Sequence, residues 1–170
     1  MKKKKREELL NIPSRVFLPG VLDWTAHANS SPIHSIYNTP PIYPIYLHGL
    51  VMKDLISQGG IEFIEKRAIS RAKKIYDLID NSGGYYFNVV KNKDHRSRMS
   101  VPCTIGEDQV NRNKSLELLF VKSASERNLL QLFGHPVKGG LRFTLYNGIP
   151  DESVDRLIQF LKEFKEKNPL

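Results

Sequence analysis

The order of apolar patterns after Gly59 is the feature that most constrains this chain. Ile61, Ile64, Ala68, Ala72, Ile75 and Ile79 recur at helical spacing, with lysines and arginines on the opposite face, so a helix is expected over Ile61–Asp80. Asn81-Ser82-Gly83-Gly84 ends it. Tyr85–Val90 (YYFNVV) is aromatic and β-branched, hence a strand. Arg98–Ile105 is a second strand, and Pro102 within it suggests an edge or a bulge. A helix follows over Lys114–Asn128, with Leu116, Leu119, Phe120 and Ala124 on one face. A short strand at Leu129–Phe133 leads into a Gly-rich loop, and Leu141–Tyr146 alternates like a last strand. A closing helix starts at Asp151, where acids suit the helix dipole, and buries Val154, Leu157, Ile158, Leu161 and Phe164. This order implies an α+β domain: an antiparallel sheet covered on one face by helices.

Ahead of Gly59 the pattern is weaker. Val16–Leu18 suits a short strand, and Asp23, Trp24 and His27 lie in a polar, loop-like stretch. A turn at Tyr37–Pro41 precedes an apolar run read as a helix from Pro41 to Ser57, closed by Gly59-Gly60. These elements cannot bury a core without partners. The expected division is therefore 1–58 and 59–170, with the compact part beginning near Gly59 and the first thirty residues weakly anchored.

The chain of 170 residues has a net charge of +8. Lys2, Lys3, Lys4, Lys5 and Arg6 supply five of those eight charges, so the basic excess reads as a solvated terminal tail before a nucleic-acid-binding arm. No apolar stretch has the length of a membrane span, and no secretory signal is visible. The single cysteine, Cys103, excludes an internal disulfide, fits a reducing compartment and reads as core filler. His27, His34 and His48 lack metal-ligand spacing, so no metal is assigned.

The chemistry concentrates in Gly134–Asn147 (GHPVKGGLRFTLYN). A Gly-rich turn lets backbone amides approach an anion, and an arginine at a strand start can clamp a carboxylate with a two-pronged bond. Arg142 is therefore expected to project from the edge of its sheet into a cleft near His135. Taken locally, the same residues also fit a solvent-facing strand arginine and a solvated loop histidine. Asn38 and Thr39 likewise fit a simple turn capping the next helix.

Six segments in order resemble the phosphoserine aminotransferases, which are pyridoxal-phosphate (PLP) enzymes of serine biosynthesis. They are SIYNTPP, QGGIEFIEKR, YDLIDNSGGYYFN, RSRMSVPCTIG, GHPVKGGLRFTLYNGIP and the closing helix, and the resemblance runs from about Glu8 to Phe164. It implies an α/β protein: the C-terminal small domain of a PLP transferase plus a remnant of the large cofactor-binding domain. The implied reaction moves an amino group from glutamate to 3-phosphohydroxypyruvate, giving phosphoserine and 2-oxoglutarate, in a cytoplasmic homodimer.

The implied roles are specific. Asn38 and Thr39 reach the cofactor phosphate of the partner subunit, Arg142 holds the substrate carboxylate, and His135 helps hold the substrate phosphate. The family's next arginine is replaced by Pro136, which removes a charge-assisted contact worth about 1.5–3 kcal/mol. Lys138 is extra relative to the family and offers a point charge instead. The resemblance also places the lysine that anchors the cofactor, and the aspartate that pairs with its ring nitrogen, outside this chain. Lys53, Lys66, Lys73 and Lys74 read as solvated helix faces. Arg96 and Arg98 read as structural. By itself the chain is expected to be inactive, and a second reading is a diverged, non-catalytic remnant serving as a dimer partner for a full-length homologue or as a folded interaction domain.

Overall fold

The computed structural model describes residues 19–28, 37–106 and 110–170. The Lys2–Arg6 tail and the strand expected at Val16–Leu18 lie outside them. The chain divides into two compact units, with the break after Lys53.

In the first unit a 3-10 turn at Gly20–Leu22 precedes a short helix, α1 (Trp24–Ala28). The polar composition of Asp23–His27 suggested a loop. It forms a helix because the Asp23 carboxylate accepts from the Thr25 amide at 2.8 Å and caps the first turn. Helix α2 (Ile42–Ser57) follows the proline stop and runs across the break. Its apolar side chains are exposed on all sides, among them Ile42, Tyr43, Ile45, Tyr46, Val51 and Ile56.

The second unit continues with α3 (Gly60–Asp80), β1 (Tyr86–Asn88), β2 (Ser100–Ile105), α4 (Lys114–Ser125), β3 (Phe133–His135), β4 (Gly139–Thr144) and α5 (Asp151–Lys167). The sheet is antiparallel throughout, in the order β1-β2-β4-β3. Alternation sorts its residues. Val101, Cys103, Ile105, Leu141 and Phe143 are buried on one face, under Ala72, Ile75 and Ile79 of α3, Phe120 and Ala124 of α4, and Leu157, Phe160, Leu161 and Phe164 of α5. Phe120 is the hub, with ring centroids 4.9 Å from Phe160, 5.0 Å from Phe164 and 6.3 Å from Phe143. Burial pushes the Cys103 thiol far above its ordinary range, as expected of core filler.

Several details differ from the sequence pattern. Pro102 sits on an interior strand, not at an edge. Its partner Arg142 sends its own amide to Leu132 on the far side, at 3.0 Å. Pro102 nitrogen therefore faces β1, which ends at Asn88 opposite Cys103, so no ladder bond is missing. Ile61, in the first turn of α3, is 85 % exposed. Leu119 faces solvent, and Glu117 takes the inward place instead. The strand expected at Leu129–Phe133 lies later, at Phe133–His135, because Asn128 and Gln131 adopt positive φ and break an extended run. The last strand starts earlier than Leu141, at Gly139.

Ion pairs brace the frame. Arg71, 4 % exposed, donates to Asp151 at the start of α5 at 2.5 Å. Arg98 pairs with Glu65 at 2.8 Å. Arg96 grips Asp80 with both prongs, at 2.7 and 3.0 Å, and holds its carboxyl below the usual carboxylate range. Among the described residues no helix is long and apolar enough to cross a membrane.

Two outcomes are expected. Phe120→Ala should cost about 3–5 kcal/mol in urea unfolding, because the hub cannot collapse around the void; a loss below about 1 kcal/mol would show that the rings do not share one core. A depressed carboxyl contributes stability above its unfolded pKa, and that contribution fades as pH falls through the folded value. Arg96→Met should therefore raise the Asp80 midpoint in an NMR titration and shrink the stability lost between about pH 6 and about pH 3. An unmoved midpoint would contradict the pairing.

Candidate functional site

The β3–β4 hairpin is built on close backbone approach. A Cβ on Gly134 would fall inside the Gly139 carbonyl, so only glycine lets the two strands meet there. Gly140, at φ +79°, has the Cys103 carbonyl 2.8 Å from where a Cβ would stand. Between them the turn Pro136-Val137-Lys138 is fully exposed.

His135 folds back over this turn. Its Nδ1 accepts from the Val137 amide at 3.2 Å and from the Lys138 amide at 3.4 Å. A ring held this way carries its proton on Nε2, which leaves that N–H free to donate outward. Lys138 stands beside it as an exposed cation.

Arg142 lies between two buried neighbours, Leu141 and Phe143, so alternation turns it to the opposite, open face. Its strand is interior, flanked by β2 and β3, where the sequence suggested an edge. Among the described residues its guanidinium has no hydrogen-bond or ion-pair partner. An unpaired fork on a rigid strand is preorganised for a carboxylate. The hairpin brings His135, Lys138 and Arg142 onto one element. It does not join them, against the expectation of a cleft shared with His135: no hydrogen bond links the two, and His135, paired with Gly139, lies on the Leu141 side of the sheet while Arg142 occupies the open face.

Asn38 and Thr39 belong to the first unit, in the bend just before α2. Both are exposed, and neither side chain has a hydrogen-bond partner among the described residues. Lys53, Lys66, Lys73 and Lys74 are all exposed, and Lys74 is paired with Asp155 at 2.8 Å. No lysine among the described residues is buried.

Sequence reasoning missed Arg112 and Glu117. Glu117 is 5 % exposed and takes two donors, the Ile105 amide at 3.3 Å and the Arg112 guanidinium. That guanidinium lies against Gly139, where a side chain would collide with it. The signal was present as an acid in the first turn of α4 and a glycine pair in the hairpin, but pairing them required the fold.

No family model matches the chain. It is 45% identical over 163 residues to a phosphoserine aminotransferase of Nitrosomonas europaea, covering 96% of this chain and 41% of that protein. A solved phosphoserine aminotransferase from Bacillus circulans subsp. alkalophilus superposes with a TM-score of 0.76 at 35% identity, covering 88% of this chain and 39% of the other. A PLP-bound phosphoserine aminotransferase from Trichomonas vaginalis gives a TM-score of 0.76 at 32% identity, over 88% and 40% of the two chains. The chain thus spans about two fifths of the length of the relatives it matches and corresponds to their C-terminal portion.

The hairpin geometry predicts a contrast between two glycines. Gly134→Ala should open the strand pair and lower the melting temperature by several degrees, the effect of about 1 kcal/mol or more. Gly148→Ala, with open space around it, should be neutral or slightly stabilising. Equal melting temperatures for the two variants would show that the close approach is not needed.

Proposed function

We propose that this chain supplies the substrate-anion part of a phosphoserine aminotransferase, the enzyme that moves an amino group between glutamate and 3-phosphohydroxypyruvate. The observation that carries this reading is the unpaired, exposed Arg142 guanidinium on the same hairpin as His135 and Lys138, in a chain 45% identical to such an enzyme. Arg142 takes the substrate carboxylate through two parallel N–H bonds. His135 donates from Nε2 to the substrate phosphate. Lys138 adds a positive charge where Pro136 stands in place of the family's second arginine, so phosphate binding here relies on a point charge more than on a fork.

PLP, when bound, supplies the electron sink that lets the amino group change carbon skeletons. Asn38 and Thr39 fit its phosphate: they are exposed, without side-chain partners among the described residues, and placed just before a helix, as a cross-subunit contact requires. The lysines among the described residues are not buried and do not fit the anchoring role, which needs a nitrogen enclosed with the cofactor. In this reading the anchor comes from the part of the fold that this chain does not span. The stretch Ile42–Met52 of α2, apolar but for His48, supports the same division, since a run this apolar is ordinarily enclosed. The assembly is a cytoplasmic dimer, of two copies or of this chain with a full-length homologue.

The test joins this chain to the preceding portion of the Nitrosomonas europaea relative and follows amino transfer from O-phospho-L-serine to 2-oxoglutarate. The hybrid should turn over, and Arg142→Met should lower kcat/KM by about a hundredfold, the worth of a lost bidentate contact. The chain alone should show no absorbance of lysine-bound PLP. A folded, PLP-loaded hybrid without transfer would overturn the reading in favour of a non-catalytic partner. So would a lysine-dependent PLP band from the chain alone.

A further inference from the structure

We propose that Arg112 and Glu117 form a positioning clamp that sets where the anion-binding hairpin sits. This rests on the functional reading above for the identity of the ligand, but not for the clamp itself.

Strand β2, helix α4 and the hairpin meet around the Arg112–Glu117 pair. The end of β2 arrives through the Ile105 amide, bonded to Glu117 Oε1 at 3.3 Å. The start of α4 arrives through Asn113, whose amide donates to the Ile105 carbonyl at 2.6 Å and whose side chain caps the helix. Gly106, at φ +122°, pairs with Arg112 across a single bridge, which delivers the arginine to this spot. Glu117 Oε2 then accepts from Arg112, and both side chains are largely buried, at 16% and 6% exposure.

The hairpin closes on the far side of that guanidinium. Gly139 packs directly against it, with no room for a Cβ. Beside the contact lies a cavity of about 240 Å³ walled by Arg112, Lys114, Leu118, Phe133 and Gly140. That space is where the hairpin could shift if the guanidinium were shorter. A buried carboxylate needs its cation, so the arginine is held in place by Glu117 and in turn holds the turn. Lys138 and Arg142 flank the clamped glycines, and their positions follow from it.

The experiment compares the wild-type chain with Arg112→Lys, Arg112→Met and Arg96→Met. The last breaks a different ion pair, at Asp80, away from the hairpin. Amide hydrogen exchange is read at Gly139–Arg142, and O-phospho-L-serine is titrated by calorimetry. Arg112→Lys keeps the charge beside Glu117 but loses the planar contact with Gly139. It should melt near the wild type yet exchange roughly tenfold faster at those amides and bind phosphoserine more weakly. Arg112→Met should show a larger effect, and Arg96→Met should lose stability without faster hairpin exchange. Hairpin exchange in both Arg112 variants no faster than in Arg96→Met would overturn the clamp. If the wild type binds no phosphoserine, the ligand reading fails, and the exchange comparison still decides the clamp.

Discussion

Leu141 and Phe143 are buried against Phe120, and a strand cannot bury both without turning Arg142 to the other face. This one constraint ties the fold to the chemistry. The core fixes the strand, the strand fixes the direction in which Arg142 leaves it, and among the described residues no contact compensates its charge. An arginine on a loop would lose backbone as well as side-chain freedom on binding an anion. Here the backbone beneath it is already set by strands on both sides.

Much of this was legible because the apolar residues repeat with periods that suit only one element each. Val154, Leu157, Leu161 and Phe164 of α5 are buried as their spacing implies, Ile158 is only half-buried, and Phe160 joins the stripe. The order of helices and strands follows the same logic. What was not legible depended on tertiary context. Pro102 reads as an edge residue, but it is tolerated inside the sheet because its neighbour strand ends one residue short. Leu119, expected inside, is exposed, and Glu117 is buried because a backbone amide and a guanidinium both need its carboxylate. Asp23 turns a loop-like stretch into a helix through one capping bond, which composition does not show.

The site divides in the same way. His135, Lys138 and Arg142 could be named from the Gly-rich pattern and from the family resemblance. Their relation could not, because it depends on strand register and on which nitrogen of His135 the turn occupies. The Gly139-Gly140 pair looked like an anion cradle. It also makes room for Arg112, a role visible only when β2, α4 and the hairpin are placed together. The resemblance covers about two fifths of each relative.

The central claim is a division of labour on one hairpin, Arg142 for the carboxylate and His135 with Lys138 for the phosphate. It is tested most directly by nitrogen-15 NMR of the Arg142 side chain and the His135 ring during two titrations. O-phospho-L-serine carries both anions, and phosphoethanolamine lacks the carboxylate. Phosphoserine should shift both side chains, and phosphoethanolamine should shift His135 alone. An Arg142 signal that moves equally with both ligands, or with neither, would contradict the account.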